Sequence, residues 1–304
     1  MNKFLAQTKR NIKLFFKDKG MFFASLITPI ILLVLYATFL SRVYKESFLM
    51  GFPEGVEMPD KLINGFVGGE LISALLAVCC ITVAFSSNMV MVQDKAKGVI
   101  HDFLIAPVKK STLAISYYVS TLISTLLICF LALLLGLIYL ACTGWYMSAG
   151  DVFLVILDVI LLSLFGTALS AIVNHFLSSQ GQMSAVGTIV SAGYGFICGA
   201  YMPISQYGKG LQNALSFLPG TYGTSLIRNH SLNGIFRELE DMGADSLVID
   251  KVRDSVDCNI YFFDNKVSTG AMFGVLIGSI VLLVAVYILL NVNWKRSGKA
   301  SVKK

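Results

Sequence analysis

Six long apolar stretches alternate with polar segments along the chain, and they predict six membrane-spanning helices. They cover residues 22–40, 71–92, 113–142, 152–173, 183–202 and 271–292. A bilayer core is about 30 Å thick, and about 20 helical residues cross it. Lipid offers the backbone no hydrogen-bond partner, so each stretch is expected to be helical. The pattern predicts an all-α polytopic membrane protein with six transmembrane helices.

The polar segments are sorted by charge. Residues 1–20, 93–111, 174–181 and 293–304 hold 15 of the 24 Lys and Arg but only three of the 18 acidic residues. Cytoplasmic segments of membrane proteins are enriched in Lys and Arg. We therefore expect a plasma-membrane protein with both termini in the cytoplasm and a basic cytoplasmic tail at 293–304. Residues 93–111 are called the inner loop from here on.

Residues 1–20 predict an amphipathic helix that lies on the membrane surface. On a helical wheel, one arc holds Phe4, Leu5, Thr8, Ile12, Phe15 and Phe16, and another holds Lys3, Lys9, Arg10, Lys13 and Lys17. An apolar face beside a basic one suits the headgroup boundary of a bilayer. The alternative is an unstructured basic leader.

Two loops differ in what their composition predicts. Residues 43–69 contain Gly, Pro and acidic residues and are expected to form an irregular outer loop. In the inner loop, Val99, Ile100, Phe103 and Leu104 recur at helical spacing, and Pro107 is expected to end a short helix. That helix is either a docking surface for a cytoplasmic partner or an interfacial helix that contacts only lipid.

Two predicted spans carry stripes of polar or small residues. The stripe in the fifth span consists of Ser184, Thr188, Ser191, Gly195 and Cys198, and that in the second of Ser73, Cys80, Ser87 and Asn88. The stripes either line a cavity or make hydrogen bonds between helices. Asp158, in the fourth span, is the one deep ionisable residue expected, with either a transport role or a structural hydrogen bond.

The segment after the fifth span is apolar but interrupted. Two pieces, each too short to span a bilayer, flank Pro219-Gly220. We expect residues 203–228 to form a re-entrant hairpin that dips into the outer leaflet, where protein must cover its turn. Residues 229–267 are polar and acid-rich, and we expect them to form an outer cap over the hairpin.

Composition excludes several functions. Hydrophobic residues make up 56% and charged residues 14% of the chain, and the net charge of +6 is explained by lipid headgroups without any nucleic acid. No G-x-x-x-x-G-K-[ST], H-E-x-x-H or G-x-S-x-G motif occurs, so we expect no ATPase activity, no catalytic residue and no metal site. The six cysteines lie mostly in or next to spans and are expected to be packing residues rather than disulfides.

The order of these parts resembles the permease subunits of the type-2 ABC exporter family. The resemblance rests on four features: Lys9-Arg10-Asn11 through Thr28-Pro29; Asp94, Gly98, Phe103-Leu104 and Ala106-Pro107; Gly199-Ala200-Tyr201-Met202-Pro203 through Leu218-Pro219-Gly220-Thr221-Tyr222 and Arg228; and the six-span layout. It covers nearly the whole chain. Family loops more often carry Glu where this chain has Asp94.

The resemblance implies partners and roles for particular residues. Two permeases, either two copies of this chain or this chain and a paralogue, would pair with two ABC ATP-binding subunits. ATP and Mg would bind in those subunits, and this chain would hold no cofactor. Coupling to the ATPase is implied for Asp94, Gly98, His101, Phe103, Leu104 and Pro107. The implied substrate path holds Ser73, Cys80, Ser87, Asn88, Ser184, Thr188, Ser191 and Gly195, and the outer gate Pro203, Leu218, Pro219, Tyr222 and Arg228.

The expected function is export of an amphiphilic substrate, such as a drug, lipid or hydrophobic peptide, from the cytoplasm or inner leaflet. The stripes offer no ring of charge that would select an ion. Export of a lipid-linked glycan and a non-transporting membrane sensor or scaffold are the alternatives. An ion-coupled carrier would need several ionisable residues at mid-depth and inverted repeats, which the sequence does not show.

Overall fold

The computed structural model describes residues 3–52, 58–105 and 108–297. These residues form helices α1 (Lys3–Lys17), α2 (Lys19–Leu35), α3 (Ser41–Met50), α4 (Asp60–Ala96), α5 (Val99–Ile105), α6 (Lys110–Thr143), α7 (Ala149–His175), α8 (Gln180–Ile197), α9 (Lys209–Leu215), α10 (Pro219–Asp241), α11 (Ser246–Ser255) and α12 (Thr269–Ser297). A π-helical turn (Tyr36–Leu40) joins α2 to α3, and a 3₁₀ turn (Ile204–Gln206) precedes α9. Strands β1 (Tyr261–Phe262) and β2 (Asn265–Lys266) form a small antiparallel hairpin. Residues 298–304 of the predicted tail lie outside the described residues.

Within the described residues, five segments are long and apolar enough to cross a membrane. They are Lys19–Met50, Asp60–Ala96, Lys110–Thr143, Ala149–His175 and Thr269–Asn291. The prediction of a helical multi-pass membrane protein is therefore confirmed. Five of the six apolar stretches lie in these helices, and a sixth span stays a prediction.

The helix of the remaining stretch is shorter than predicted. α8 ends at Ile197 rather than at Met202, because Gly199 adopts φ +75°. The Gly195 carbonyl accepts hydrogen bonds from the amides of Ala200 and Tyr201 at 2.9 and 3.0 Å, which closes the helix end. Its 18 residues are about 27 Å long, close to the thickness of the hydrocarbon core.

The prediction of an irregular outer loop at 43–69 is wrong for its described residues. α3 covers the first part, and α4 begins at Asp60. Tyr44, Phe48 and Phe66 are buried, and the rings of Phe48 and Phe66 lie 4.5 Å apart. The Gly, Pro and acidic residues of this segment predicted a loop, although apolar residues recur between them at helical spacing. Residues 53–57 lie outside the described part.

The predicted boundary between hairpin and cap falls inside one helix. α10 runs without a break from Pro219 to Asp241, so residues 229–241 continue the hairpin's second arm rather than starting a cap. The remainder of the predicted cap consists of α11 and the β-hairpin. Whether the turn between α9 and α10 enters the outer leaflet stays a prediction.

α4 is the central helix of the fold. It packs against α2, α6, α7, α8 and α10, and its most apolar stretch is entirely buried. Because α4 reaches from its contacts with α3 and α10 to the inner loop, groups at its two ends belong to one continuous element.

α1 forms the predicted amphipathic helix, and its buried side overlaps the predicted apolar face, with which it shares Thr8 and Phe15. Gln7, Thr8, Asn11 and Phe15 are buried, and α1 packs mainly against α6. Leu5 and Phe16, from the predicted apolar face, remain exposed. Part of the predicted apolar face of α1 therefore packs against protein, and part of it remains exposed.

Candidate functional site

The inner loop is a compact helical turn between two long helices. α4 ends at Ala96, and Gly98 turns the chain with φ +76°, a conformation that favours glycine. The seven residues of α5 follow, and α6 begins at Lys110. The predicted short helix is thus present. Pro107, expected to end it, lies outside the described residues.

Asp94 accepts the hydrogen bonds that connect this loop to α1 and α6. Its carboxylate accepts two hydrogen bonds from the Arg10 guanidinium, at 2.7 and 2.9 Å, and one from the Tyr117 hydroxyl at 2.5 Å. These hydrogen bonds raise the pKa of Arg10 above its ordinary value. Asp94 is itself buried. The network joins α1, the end of α4 and the start of α6, and bidentate arginine–carboxylate pairs are among the stronger polar contacts in proteins.

Arg10 also contacts α5 directly. Its guanidinium lies over the Phe103 ring, 5.1 Å from the centroid, which is cation–π geometry. Ile100 is buried on the same helix and Phe103 is half-buried, whereas Ile105 is 80% exposed. α5 therefore holds one side against the protein and presents an apolar residue at its tip.

The residues predicted to couple to an ATPase have different placements. Asp94 is buried and can act on a partner only by positioning the loop. Gly98 is exposed and shapes the turn. Phe103, on α5, packs against Arg10 of α1. The side chains of His101 and Leu104 lie outside the described residues.

Lys95 ties the inner loop to the connection between α7 and α8, a contact that sequence reasoning missed. Its ammonium group donates to the carbonyl oxygens of Asn174, His175 and Leu177 at 3.2, 2.5 and 3.4 Å. These carbonyls close the end of α7, where a cation is favourable. Movement of the inner loop would therefore reach both α6 and the α7–α8 connection.

The polar stripe of the second predicted span is buried in α4. The Cys80 thiol contacts the Val159 carbonyl at 3.7 Å, and the Asn88 amide donates to the Ser170 hydroxyl at 3.2 Å. Ser73 and Ser87 are also buried. Cys80 and Asn88 of the stripe thus make hydrogen bonds between α4 and α7, one of the two interpretations left open by the sequence.

The stripe of α8 instead faces a cavity of about 470 Å³ between α2, α4 and α8. Ser184, Thr188 and Ser191 line it, and Thr28 of α2 donates to the Ser191 carbonyl at 3.1 Å. Gly195 is buried beneath the Tyr201 ring and lies outside this lining. The residues of α4 that line the cavity are Ser86 and Met89, and none of the four residues of the predicted α4 stripe does so. The structure therefore does not bring the two stripes together within one chain.

Arg228, predicted for the outer gate, is the centre of a buried charge cluster. Its guanidinium lies 3.1 Å from Glu70 of α4 and 3.5 Å from Asp257, and it donates to the Gly199 carbonyl at 2.9 Å. The Asp257 carboxylate in turn accepts hydrogen bonds from the backbone amides of Ile204 and Ser205. Burial raises the pKa of Asp257, and the Arg228 charge opposes that rise. One side chain thus joins α4, the turn after α8 and the residues following α11.

Three of the remaining predicted gate residues, Leu218, Pro219 and Tyr222, lie at the turn between α9 and α10. Pro219 is the first residue of α10, where proline is favoured, and Leu218 precedes it. The Tyr222 hydroxyl donates to the Ser216 carbonyl at 2.6 Å and closes the turn. Pro203 stands apart from them, immediately before the 3₁₀ turn.

The expectation that Asp158 is the only deep ionisable residue is wrong. Glu70 is fully buried, and it was overlooked because the predicted span began one residue later. Asp158 itself lies 2.5 Å from the ring nitrogen Nδ1 of His230, which stacks on Phe273 of α12. The sequence did not predict this pair, because Asp158 and His230 are 72 residues apart and no local pattern connects them. Its geometry favours the structural hydrogen bond among the two roles considered.

A comparison with protein families matches the chain over more than half of its length. A family model described as ABC-2 type transporter covers residues 2–230, from α1 through the middle of α10. A comparison with curated proteins finds no match. Within the described residues, no group of three or more His, Cys, Asp or Glu side chains is placed to hold a metal ion.

Proposed function

Because the chain belongs to the ABC-2 type transporter family, we propose that it is the membrane subunit of an ATP-driven exporter for an amphiphilic substrate. Permeases of this family generally work with an ABC ATP-binding subunit. The observation that carries the proposal is the inner loop. It is braced by Arg10, Asp94 and Tyr117 and exposes Ile105 at its tip.

The proposed assembly contains two permeases and two ATP-binding subunits in the plasma membrane, with both termini and the inner loop in the cytoplasm. ATP and Mg bind in the partner subunits. The exposed side of α8 supports a second permease, which is this chain or a paralogue. α8 carries Ser184 and Thr188 on a surface that is largely uncovered in one chain. Such polar surface at membrane depth is more stable against another helix than against lipid.

The cavity between α2, α4 and α8 supports an amphiphilic substrate. Its lining combines the hydroxyls of Thr28, Ser86 and Ser191 with three methionines, and none of the residues lining it is charged. Methionine side chains adapt to ligands of different shape, and scattered hydroxyls bind a polar head without requiring a charge. A drug, a lipid or a hydrophobic peptide fits this chemistry, and the lipid portion of a lipid-linked glycan does as well.

The proposed mechanism transmits motion through packed elements. When the ATP-binding subunits approach each other, they displace α5, and the network around Asp94 passes this displacement to α1, α4 and α6. ATP then shifts the population between inward- and outward-facing packings, provided that the partner binds the two with different affinity. Since α4 reaches from Asp94 to Glu70, one helix connects the inner loop to the outer charge cluster.

Replacement of Ile105 by aspartate tests the docking surface. We expect I105D to lower ATPase activation by the permease at least tenfold without loss of folded protein, because a charge at an apolar contact must be desolvated. The measurement is ATP hydrolysis by the purified ATP-binding subunit, titrated with permease in detergent or vesicles.

The matched control is L247D, which places the same charge at an exposed leucine of α11 near the opposite end of the molecule. Normal ATPase activation by I105D would show that the tip of α5 does not contact the ATP-binding subunit. If the wild-type permease purifies alone and activates no ATPase, the sensor or scaffold interpretation is favoured instead.

A further inference from the structure

The exposed surface of α1 is divided into an apolar stripe and a basic stripe that adjoin each other. Leu5 and Phe16 are 58% and 38% exposed beside the buried side of the helix. Lys9, Lys13 and Lys17 follow next around the helix, and all three are exposed. The lysines recur every four residues, so their stems are about 6 Å apart along one line.

These three lysines form no ion pair or hydrogen bond with the described part of the chain. The neighbouring acid Asp18 is engaged elsewhere, since its carboxylate accepts the Met21 amide and the Gln93 side chain. Arg10, on the same helix, is bound to Asp94. The fold therefore uses Arg10 internally and leaves three aligned cations, Lys9, Lys13 and Lys17, for an external partner.

The position of the stripe identifies that partner. α1 is joined through Asp18 to α2, which begins a membrane-spanning segment at Lys19. On a membrane surface, the exposed Leu5 and Phe16 would lie against hydrocarbon, and the lysines would lie one step farther from it. This is the depth of lipid phosphates in a helix that lies on a membrane.

We propose that Lys9, Lys13 and Lys17 form a binding surface for anionic phospholipid headgroups of the leaflet beside α1. The inference deepens the proposed function and rests on it only in placing α1 on the cytoplasmic leaflet. Anionic lipid held by the stripe fixes α1, and α1 carries the Arg10 contact to Asp94 and Phe103. The lipid therefore supports the position of the inner loop.

The test is lipid selectivity measured by electron spin resonance. The full-length permease is reconstituted in phosphatidylcholine vesicles with spin-labelled phosphatidylglycerol or spin-labelled phosphatidylcholine. We expect the wild-type protein to prefer phosphatidylglycerol by about fivefold or more, since one lysine near an anionic surface contributes about that factor. In K9Q/K13Q/K17Q the preference is expected to fall below twofold, and 0.5 M NaCl is expected to weaken it in the wild type.

Two control variants separate this surface from net charge. K9R/K13R/K17R retains the cations and is expected to retain the preference. K45Q/K61Q/K251Q removes three exposed lysines from the predicted outer segments and is expected to behave as the wild type.

Equal selectivity in K9Q/K13Q/K17Q and the wild type would overturn the proposal and would favour an acidic protein as the partner of the stripe. ATPase activation by the same preparations separates the two hypotheses. If wild-type permease activates its ATPase but shows no lipid preference, the lipid surface fails and the exporter assignment stands.

Discussion

Replacement of Arg228 by methionine is expected to prevent stable folding of the region that joins α4, the turn after α8 and the residues following α11. Methionine replaces the aliphatic part of the side chain but carries no charge, so Glu70 and Asp257 would both remain buried without their cation. Breaking a buried ion pair by removing one partner costs about 3–5 kcal/mol, a large part of the 5–15 kcal/mol typical of whole domains. The measurement is the yield of monodisperse protein in detergent together with its thermal unfolding.

Arg42 provides the matched control because it is an exposed arginine in α3. R42M is expected to purify and unfold as the wild type does. The double variant E70Q/R228M is expected to recover part of the lost stability, since one of the two orphaned charges is removed with the cation. An R228M protein that unfolds at the wild-type temperature would show that the cluster of Glu70, Arg228 and Asp257 does not stabilise the fold.

Replacement of Asp94 by asparagine is expected to uncouple the permease from its ATPase. Asparagine has the same shape, but it cannot accept the paired hydrogen bonds that Arg10 and Tyr117 donate to the carboxylate. Hydrogen bonds to charged groups contribute about 1.5–3 kcal/mol each, enough to change the position of a seven-residue helix. We expect D94N to assemble with the ATP-binding subunit but to reduce transport per ATP hydrolysed at least tenfold.

D60N supplies the control at the other end of α4, where Asp60 is exposed. It is expected to retain the wild-type ratio of transport to hydrolysis. Y117F removes one of the three hydrogen bonds on Asp94 and should reduce the ratio by a smaller factor, about threefold. A wild-type ratio in D94N would show that the inner loop needs no brace.

Hydrophobic patterning predicted the membrane helices because lipid restricts a spanning segment to one kind of structure. The spans at 71–92 and 113–142 lie inside α4 and α6. The errors occurred where the chain packs against protein rather than lipid. There, buried residues such as Glu70 and Tyr44 need no long apolar run, and tertiary partners decide the local structure.

The candidate site was predictable in position but not in contacts. The spacing of Val99, Ile100 and Phe103 located α5, and charge located the inner loop. The pairing of Arg10 with Asp94 spans 84 residues, and no local pattern specifies it. The α4 stripe shows the same limit, since a helical wheel groups Cys80 and Asn88 without showing that α7 occupies that face.

The most direct test of the account is the accessibility of position 105 to a membrane-impermeant maleimide. Cys142, at the opposite end of α6, is exposed, whereas the other five native cysteines are buried. In the wild type we expect Cys142 to be modified in intact cells. In I105C carrying C142S we expect modification only in inverted vesicles, and protection when the ATP-binding subunit is present. Modification of I105C from outside intact cells would contradict the orientation, the docking surface and the exporter function together.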